Sequence, residues 1–309
     1  MTAQRLPDAS PEQLVEAVHA ALAGGEVSAI AASYGLPADQ LEAALTTYHA
    51  AGTAAVTRST DRWYTTRLAF ADQRRAEKTM ATVVGPLLDT LCVGPMPVDW
   101  WFTRRESDWR VYLRHPDPAV LGVFLHDLGR GRPVAATQPL VHDPDMRPYG
   151  GPAGLAIAYQ LFVAESHGIL AYARSSLPLE RRDLSILVVD VLLAAAGLSF
   201  VARGGVYAQA IALGRHNEAV EPAGARMLAA KLHEVLTNPN VRKAAAVGPW
   251  ADACVAAGGQ FAAMDAAGLL SRGLIDVLAA VVRAQWARLG LSSTVQAVLA
   301  LAAHDAYGQ

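Results

Sequence analysis

The chain has 309 residues, 52% hydrophobic and 17% charged, with a formal net charge of −2. It is too long for one small domain and too apolar for disorder, and its charge gives no global pull toward nucleic acid or a membrane surface. Its two cysteines, Cys92 and Cys254, lie in unrelated contexts with no CxxC and no nearby histidine pair, which excludes a disulfide framework and gives no reason to expect a zinc site.

The first ten residues are polar, contain Pro7 and lack the apolar segment of a signal peptide. The longest apolar runs, 184–201 and 273–282, are broken by Asp190 and Asp276, so a cytoplasmic protein with no membrane partner is expected. Residues 1–52 set Arg5 against Asp8, Glu12, Glu16, Glu26, Asp39 and Glu42, a net of −5, and subtracting this from −2 leaves about +3 on the remainder. Three short helices are expected there, over 11–22, 27–34 and 38–51, with Gly24 and Gly25, Gly35 and Gly52 as C-terminal caps and Pro37 introducing the third. The turn GLPADQLEAAL resembles a helix-turn-helix, but the third helix has no cation to meet phosphate. A packing or peptide-docking module is expected instead of a nucleic-acid reader.

Residues 61–145 give a strand over 62–71, a helix over 72–91, hairpin strands over 98–105 and 109–115, a helix over 118–128, a turn over 129–133 and a strand over 134–141. That order, βαββαβ, predicts an α+β fold with a ferredoxin-like antiparallel sheet carrying two helices on one face. Beyond Gly150 and Gly151 the pattern is helical, over 153–173, 180–196, 206–213, 222–236, 241–257, 262–289 with a break near 268–273, and 293–307. Asn238, Pro239 and Asn240 mark a loop. The expected organisation is a small acidic helical module (1–57), a ferredoxin-like sheet region (58–150) and a helical region (151–309) completing a cleft beside the sheet.

The hairpin WWFTRRESDWRVYLR (100–114) concentrates aromatics and cations. Strand alternation puts Trp109, Val111 and Leu113 on one face and Arg110, Tyr112 and Arg114 on the other, with Arg104 and Arg105 nearby. A guanidinium cannot shed its charge, so that second row faces either water or a partner rich in anions or carbonyls. Two further polar clusters are HDPDMRPYGG (142–151), whose glycine pair permits a sharp turn, and Glu165-Ser166-His167. Each also has a bland account: surface charge, turn chemistry and helix-surface polarity. There is no GxSxG, GxxxxGK[ST], HExxH or GxGxxG, and the nine histidines are dispersed, so neither a metal nor another cofactor is expected.

The hairpin, the segment VHDPDMRPYGGPAGLAIAYQLFVAES (141–166), RRDLSILVVDVLLAAAG (181–197) and QWARLGLSSTVQAVLALAA (285–303) occur in the order seen in the C-terminal domain of class I lanthipeptide dehydratases. The chain resembles that family, which includes stand-alone thiopeptide biosynthesis proteins, and the YHAAGTAAV exit (48–56) of the N-terminal module is similar to theirs. Family members that eliminate glutamate carry an arginine pair on the hairpin and a histidine followed, two residues on, by Asn-Arg. Here the resemblance keeps Arg110 but puts Tyr112 at the second arginine, Gln285 at the histidine and Ala287 at the asparagine, and keeps Arg288. Glutamine cannot shuttle a proton as histidine does, so the usual elimination machinery looks dismantled.

The resemblance extends to the thiopeptide pyridine synthases, which join two dehydroalanines in a formal [4+2] aza-cycloaddition that closes a macrocycle, then lose water and the leader peptide. It implies Arg110, Tyr112 and Gln285 as catalytic residues lining one shared cavity with no imidazole beside Arg110. Arg104, Arg114, Tyr149, Glu165, Ser166, Trp286 and Arg288 are the implied substrate-binding residues. The implied partners are a precursor peptide, with its leader and dehydrated core, and other biosynthetic enzymes, for a monomer or homodimer. Competing expectations are glutamate elimination as a subunit of a split dehydratase, and a non-catalytic leader-binding partner.

Overall fold

The computed structural model describes residues 10–60, 63–93, 97–105, 108–115, 117–130, 134–176, 179–214, 222–241 and 248–308. The expected turn at 129–133 and helix over 241–257 fall partly outside them. The chain divides into two units, Met1–Ser59 and Thr60–Gln309.

The first unit contains α1 (Pro11–Leu22), α2 (Val27–Ser33) and most of α3 (Ala38–Thr60). Ser10 and Gln13 form a reciprocal capping box at the start of α1, and Glu26 accepts from two backbone N–H groups at the start of α2. Ala17, Val18, Ala31, Leu36 and Leu41 make its small core. The third helix does not stop at Gly52, as expected from sequence, because a glycine caps a helix only where the chain turns left-handed, and no breaker follows it.

In the second unit a four-stranded antiparallel sheet has the order β2-β3-β1-β4, built from β1 (Trp63–Phe70), β2 (Asp99–Arg105), β3 (Asp108–Arg114) and β4 (Val134–Leu140). This is the strand order of the ferredoxin-like arrangement. Leu68, Phe102, Trp109, Val111 and Leu113 pack with Met80, Val84 and Leu88 of the first helical crossover and Leu121 and Leu128 of α6 (Pro118–Arg130). Register partners share a face, so Thr65, Trp101 and Tyr112 form one row across the opposite face, with Thr103 and Arg110 beside it.

The first crossover, expected as one helix over 72–91, is a 3-10 turn, then α4 (Ala76–Thr79), a π segment (Met80–Val84) and α5 (Gly85–Leu91). Pro86 has no N–H to offer the widened turn, and the Ala81 carbonyl instead accepts from Arg174 Nη1 at 2.9 Å.

The helical half comprises α7 (Pro152–Arg174), α8 (Arg181–Ala195), α9 (Phe200–Ala212), α10 (Pro222–Thr237), α11 (Pro249–Ala266), α12 (Leu274–Arg288) and α13 (Ser293–Tyr307). Helix α9 begins earlier than expected because Ser199 caps it, accepting from Ala202 N. Helix α11 runs through Gly258 and Gly259, where a boundary was expected between the helices of 241–257 and 262–289. A Cβ at Gly258 would lie 2.4 Å from the Leu192 carbonyl oxygen, so this glycine serves the close crossing with α8. Among the described residues no single helix is long and apolar enough to cross a membrane; the bent pair α8 and α9 passes on length and composition, and Ile186, Leu187, Val188, Val189, Val206 and Tyr207 on it are core residues.

The outer edge of β2 is covered by α7. Phe102 N donates to Ser166 Oγ at 3.1 Å, and Ser166 Oγ donates to the Phe162 carbonyl at 2.7 Å, both buried. Ser166→Ala leaves the Phe102 N–H buried without an acceptor, a loss of about 1–3 kcal/mol in urea unfolding. An unchanged unfolding midpoint would contradict this role.

Candidate functional site

The sheet face bearing Trp101 and Tyr112, the segment after β4, α7 and the end of α12 enclose a cleft of ≈ 600 Å³. Its sheet wall is Thr65, Trp101, Thr103, Arg110 and Tyr112; its opposite wall includes Tyr149, Leu155, Tyr159, Phe162, Ala284, Ala287 and Arg288. The strand pleat and one helical stripe account for most of this. Ala284, Ala287 and Arg288 are spaced i, i+3, i+4 and so share one face of α12.

Aromatic packing gives the cleft its shape. Trp101 and Tyr112, register partners, stack face to face with centroids 3.7 Å apart at 2°. Tyr159 and Phe162 close on Trp101 at 5.1 and 5.2 Å. Tyr149 meets Phe162 edge-on at 5.7 Å. The Tyr149 backbone is fixed by the turn that follows it: Gly150 and Gly151 have φ of +76° and +105°, and a Cβ at Gly154 would lie 1.8 Å from the Tyr149 carbonyl oxygen. Burial pushes the phenols of Tyr149 and Tyr159 up, so both stay protonated as neutral donors.

At the inner end sits Arg288, 1% exposed, with Nη2 paired to Glu165 Oε2. Its Cζ lies 3.8 Å from the Phe162 ring centroid. Arg288 Nε and Nη1 are buried and have no hydrogen-bond partner among the described residues. Glu165 is fully buried; burial pushes its carboxyl up, and the Arg288 charge and hydrogen bonds from Arg288 and Gln285 pull it back. A guanidinium with unpaired nitrogen donors can pair with a carbonyl or carboxylate oxygen.

The expected site residues divide accordingly. Arg104, Arg110, Tyr112, Tyr149 and Arg288 line the cleft. Arg104 does so while held by Glu77 (3.0 Å) and lying over Trp109 (5.0 Å), packed where a Cβ at Gly290 would come within 2.2 Å of its Cζ. Gln285 is 1% exposed and is not a lining residue; it stands behind the wall, bonded to Glu165. One residue on from Ala284, it is rotated about 100° off the cleft-facing stripe. Arg114 pairs with Asp99 and lies over Trp63 (5.2 Å). Ser166 seals the sheet edge. Trp286 is buried against Tyr207, centroids 6.0 Å apart. Arg110, Tyr112 and Gln285 therefore do not line one shared cavity, and an imidazole does stand on its wall.

That imidazole is His142, in the segment after β4. Its Nδ1 is 3.2 Å from Thr65 Oγ1 and its Nε2 is 3.2 Å from the Tyr159 hydroxyl. Its ring meets Tyr112 edge-on at 5.7 Å. Burial holds its pKa below the usual imidazole value, against the weaker pull of Asp143, so the neutral form is favoured. Thr65, His142 and Tyr159 make a continuous hydrogen-bonded chain of hydroxyl, imidazole and phenol. In sequence His142 belongs to the 142–151 cluster, but Tyr159 and Thr65 carry no local signal of it.

The family described as lantibiotic biosynthesis dehydratase C-term matches residues 63–307. The chain belongs to that family. Its fold is similar to that of the tRNA-dependent lantibiotic dehydratase MibB from Microbispora sp. 107891, with a TM-score of 0.56 and 16% identity over 79% of this chain, but over only 28% of that longer one. It is also similar to TbtD, the pyridine synthase from thiomuracin biosynthesis (TM-score 0.49, 17% identity, 80% of this chain and 99% of that one), and to TsrL (0.49, 17%, 81% and 96%). Comparison with curated proteins gives no match.

Two outcomes test this geometry. Glu165→Gln removes the partner of a buried cation and lowers stability by about 3–5 kcal/mol in urea unfolding; a loss under about 1 kcal/mol would contradict the pair. Because the folded pKa of His142 is lowered, the unfolded chain binds more protons as pH falls below about 6.5. Stability is therefore full above that value and declines below it. His142→Gln reduces the shift in unfolding midpoint between pH 7.5 and 5.5, and an unaltered shift would place the imidazole in solvent.

Proposed function

We propose that the chain is a pyridine-forming cyclase of ribosomally made peptides. It joins two dehydroalanines of one precursor by a formal [4+2] aza-cycloaddition, closing a macrocycle, and then expels water and the leader peptide. The observation that carries this reading is the buried Arg288 guanidinium, on the wall of a cleft lined by aromatic rings, whose Nε and Nη1 have no hydrogen-bond partner among the described residues.

The reaction gains most from holding two ends of one peptide together, since positioning alone supplies about 7–11 kcal/mol of barrier lowering. Flat aromatic walls suit two planar unsaturated residues. Donation from Arg288 Nε and Nη1 to the amide oxygen beside one dehydroalanine favours its iminol form, in which C=C and C=N are conjugated as the azadiene. The Thr65–His142–Tyr159 chain, with its imidazole neutral, moves the amide proton from nitrogen to oxygen to complete the iminol, and in each elimination takes one ring C–H proton and returns one to the departing hydroxyl or leader amide. Tyr112, across from His142, is the second phenol within reach of those groups. Gln285 serves as a positioning residue, holding Glu165 against Arg288.

One observation favours a second reading, glutamate elimination. His142 brings an imidazole into a cleft that also contains Arg110 and Arg288, a base beside two cations that suit a glutamyl carboxylate. One experiment separates the two: incubation with a linear dehydrated precursor and, separately, a glutamylated one, read by mass. The cyclase converts the first into a macrocycle with release of leader amide, and leaves the second intact. Loss of glutamate from the second with the first unchanged would overturn the proposal. Tyr159→Phe and His142→Phe are each expected to slow cyclisation at least about 100-fold, in the range of general acid–base catalysis, and wild-type rates would remove the relay.

A further inference from the structure

Outside the cleft, a second cluster of donor atoms is assembled by elements far apart in the chain. Asp89 lies in α5, Cys92 caps its end, and His167 comes from α7. One ligating atom from each lies within 4.8 Å of the others. His167 Nδ1 is 3.1 Å from Asp89 Oδ1, a hydrogen-bonding distance, and that oxygen is buried. Burial holds the His167 pKa below the usual imidazole value, against the charge of Asp89 and the hydrogen bond with it. A third atom, Cys92 Sγ, stands beside them, at present a thiol within reach of the Val98 carbonyl at 3.0 Å. Trp100, fully buried, has an indole N–H with no other hydrogen-bond partner among the described residues and is placed to donate to that sulfur. Its ring packs on His167 at 4.5 Å and fixes the imidazole's position.

A thiolate, an imidazole and a carboxylate on one centre are the ligands of a tetrahedral, borderline-soft divalent ion. We propose that Asp89, Cys92 and His167 form a binding site for a divalent cation of the zinc class, with solvent as the fourth ligand. All three residues are partly exposed. Binding displaces the thiol proton and leaves the sulfur as thiolate, with the Trp100 N–H as its outer-sphere donor. A nucleophilic Cys–His–Asp arrangement fits less well, because burial and the Asp89 charge push the Cys92 thiol up, opposite to what a nucleophile needs. Trp100 and Trp101 are successive residues on β2 and point to opposite faces, so the ion would tie α5 to α7 behind the strand that forms the cleft's sheet wall.

The test is a titration of the full chain, kept reduced, with Co²⁺ as probe. One equivalent is expected to produce a thiolate-to-cobalt charge-transfer band in the near ultraviolet, removed by competing Zn²⁺. Cys92→Ser abolishes the band, and Cys254→Ser, at the other free cysteine, leaves it intact. Asp89→Asn and His167→Gln weaken binding at least about 10-fold, the least expected for losing a ligand. Zn²⁺ also raises the unfolding temperature of the wild type and not of Cys92→Ser. Absence of the band in folded wild-type protein, or a band that survives Cys92→Ser, overturns the proposal.

Discussion

A guanidinium enclosed by protein cannot discharge itself, so everything around Arg288 has to accommodate a permanent cation. Glu165 takes one nitrogen, the Phe162 ring covers its plane, and Gln285 holds the carboxylate in place. Breaking such a pair costs about 3–5 kcal/mol, whereas a hydrophobic replacement of the whole pair is often neutral or stabilising. An arrangement that leaves Nε and Nη1 without acceptors is therefore poorly explained as a device for stability. Under the proposed function it is a preorganised donor for a substrate oxygen, whose desolvation is met when the fold forms and not when the reaction occurs.

The rest of the second unit positions the other wall against that donor. The ferredoxin-like sheet presents one apolar face to its own two crossovers, and this frees the opposite face to carry Trp101, Tyr112 and Arg110. Ser166 and α7 cover the β2 edge and thereby set the distance between sheet and helices. The glycines of the Tyr149 turn let the chain reverse tightly enough to bring His142 and Tyr159, on either side of it, into hydrogen-bond contact.

The sheet was legible in the sequence because strand alternation separates the two rows of β3 without tertiary information, and the order of elements fixes the topology. Arg288 and Tyr149 were reached through family resemblance, and the helical spacing of Ala284, Ala287 and Arg288 could have shown that Gln285 faces elsewhere. Less was legible where contacts span the chain. Tyr159 looks like one more apolar residue of α7 until Thr65 and His142 are placed beside it, and Cys92 and His167 are 75 positions apart, joined only by the packing of α5 on α7. Helix ends misjudged at Gly52 and Gly258 reflect glycine's two uses, turning and close approach, which composition does not distinguish.

The central claim is that Arg288 meets the peptide directly. With arginine side chains labelled with ¹⁵N, the Arg288 Nε–H resonance, assigned by its loss in Arg288→Lys, should shift and gain protection from exchange when a linear dehydrated precursor saturates the protein. The exposed Arg147 resonance should stay unchanged. Saturation with peptide that leaves the Arg288 signal unmoved would contradict the account.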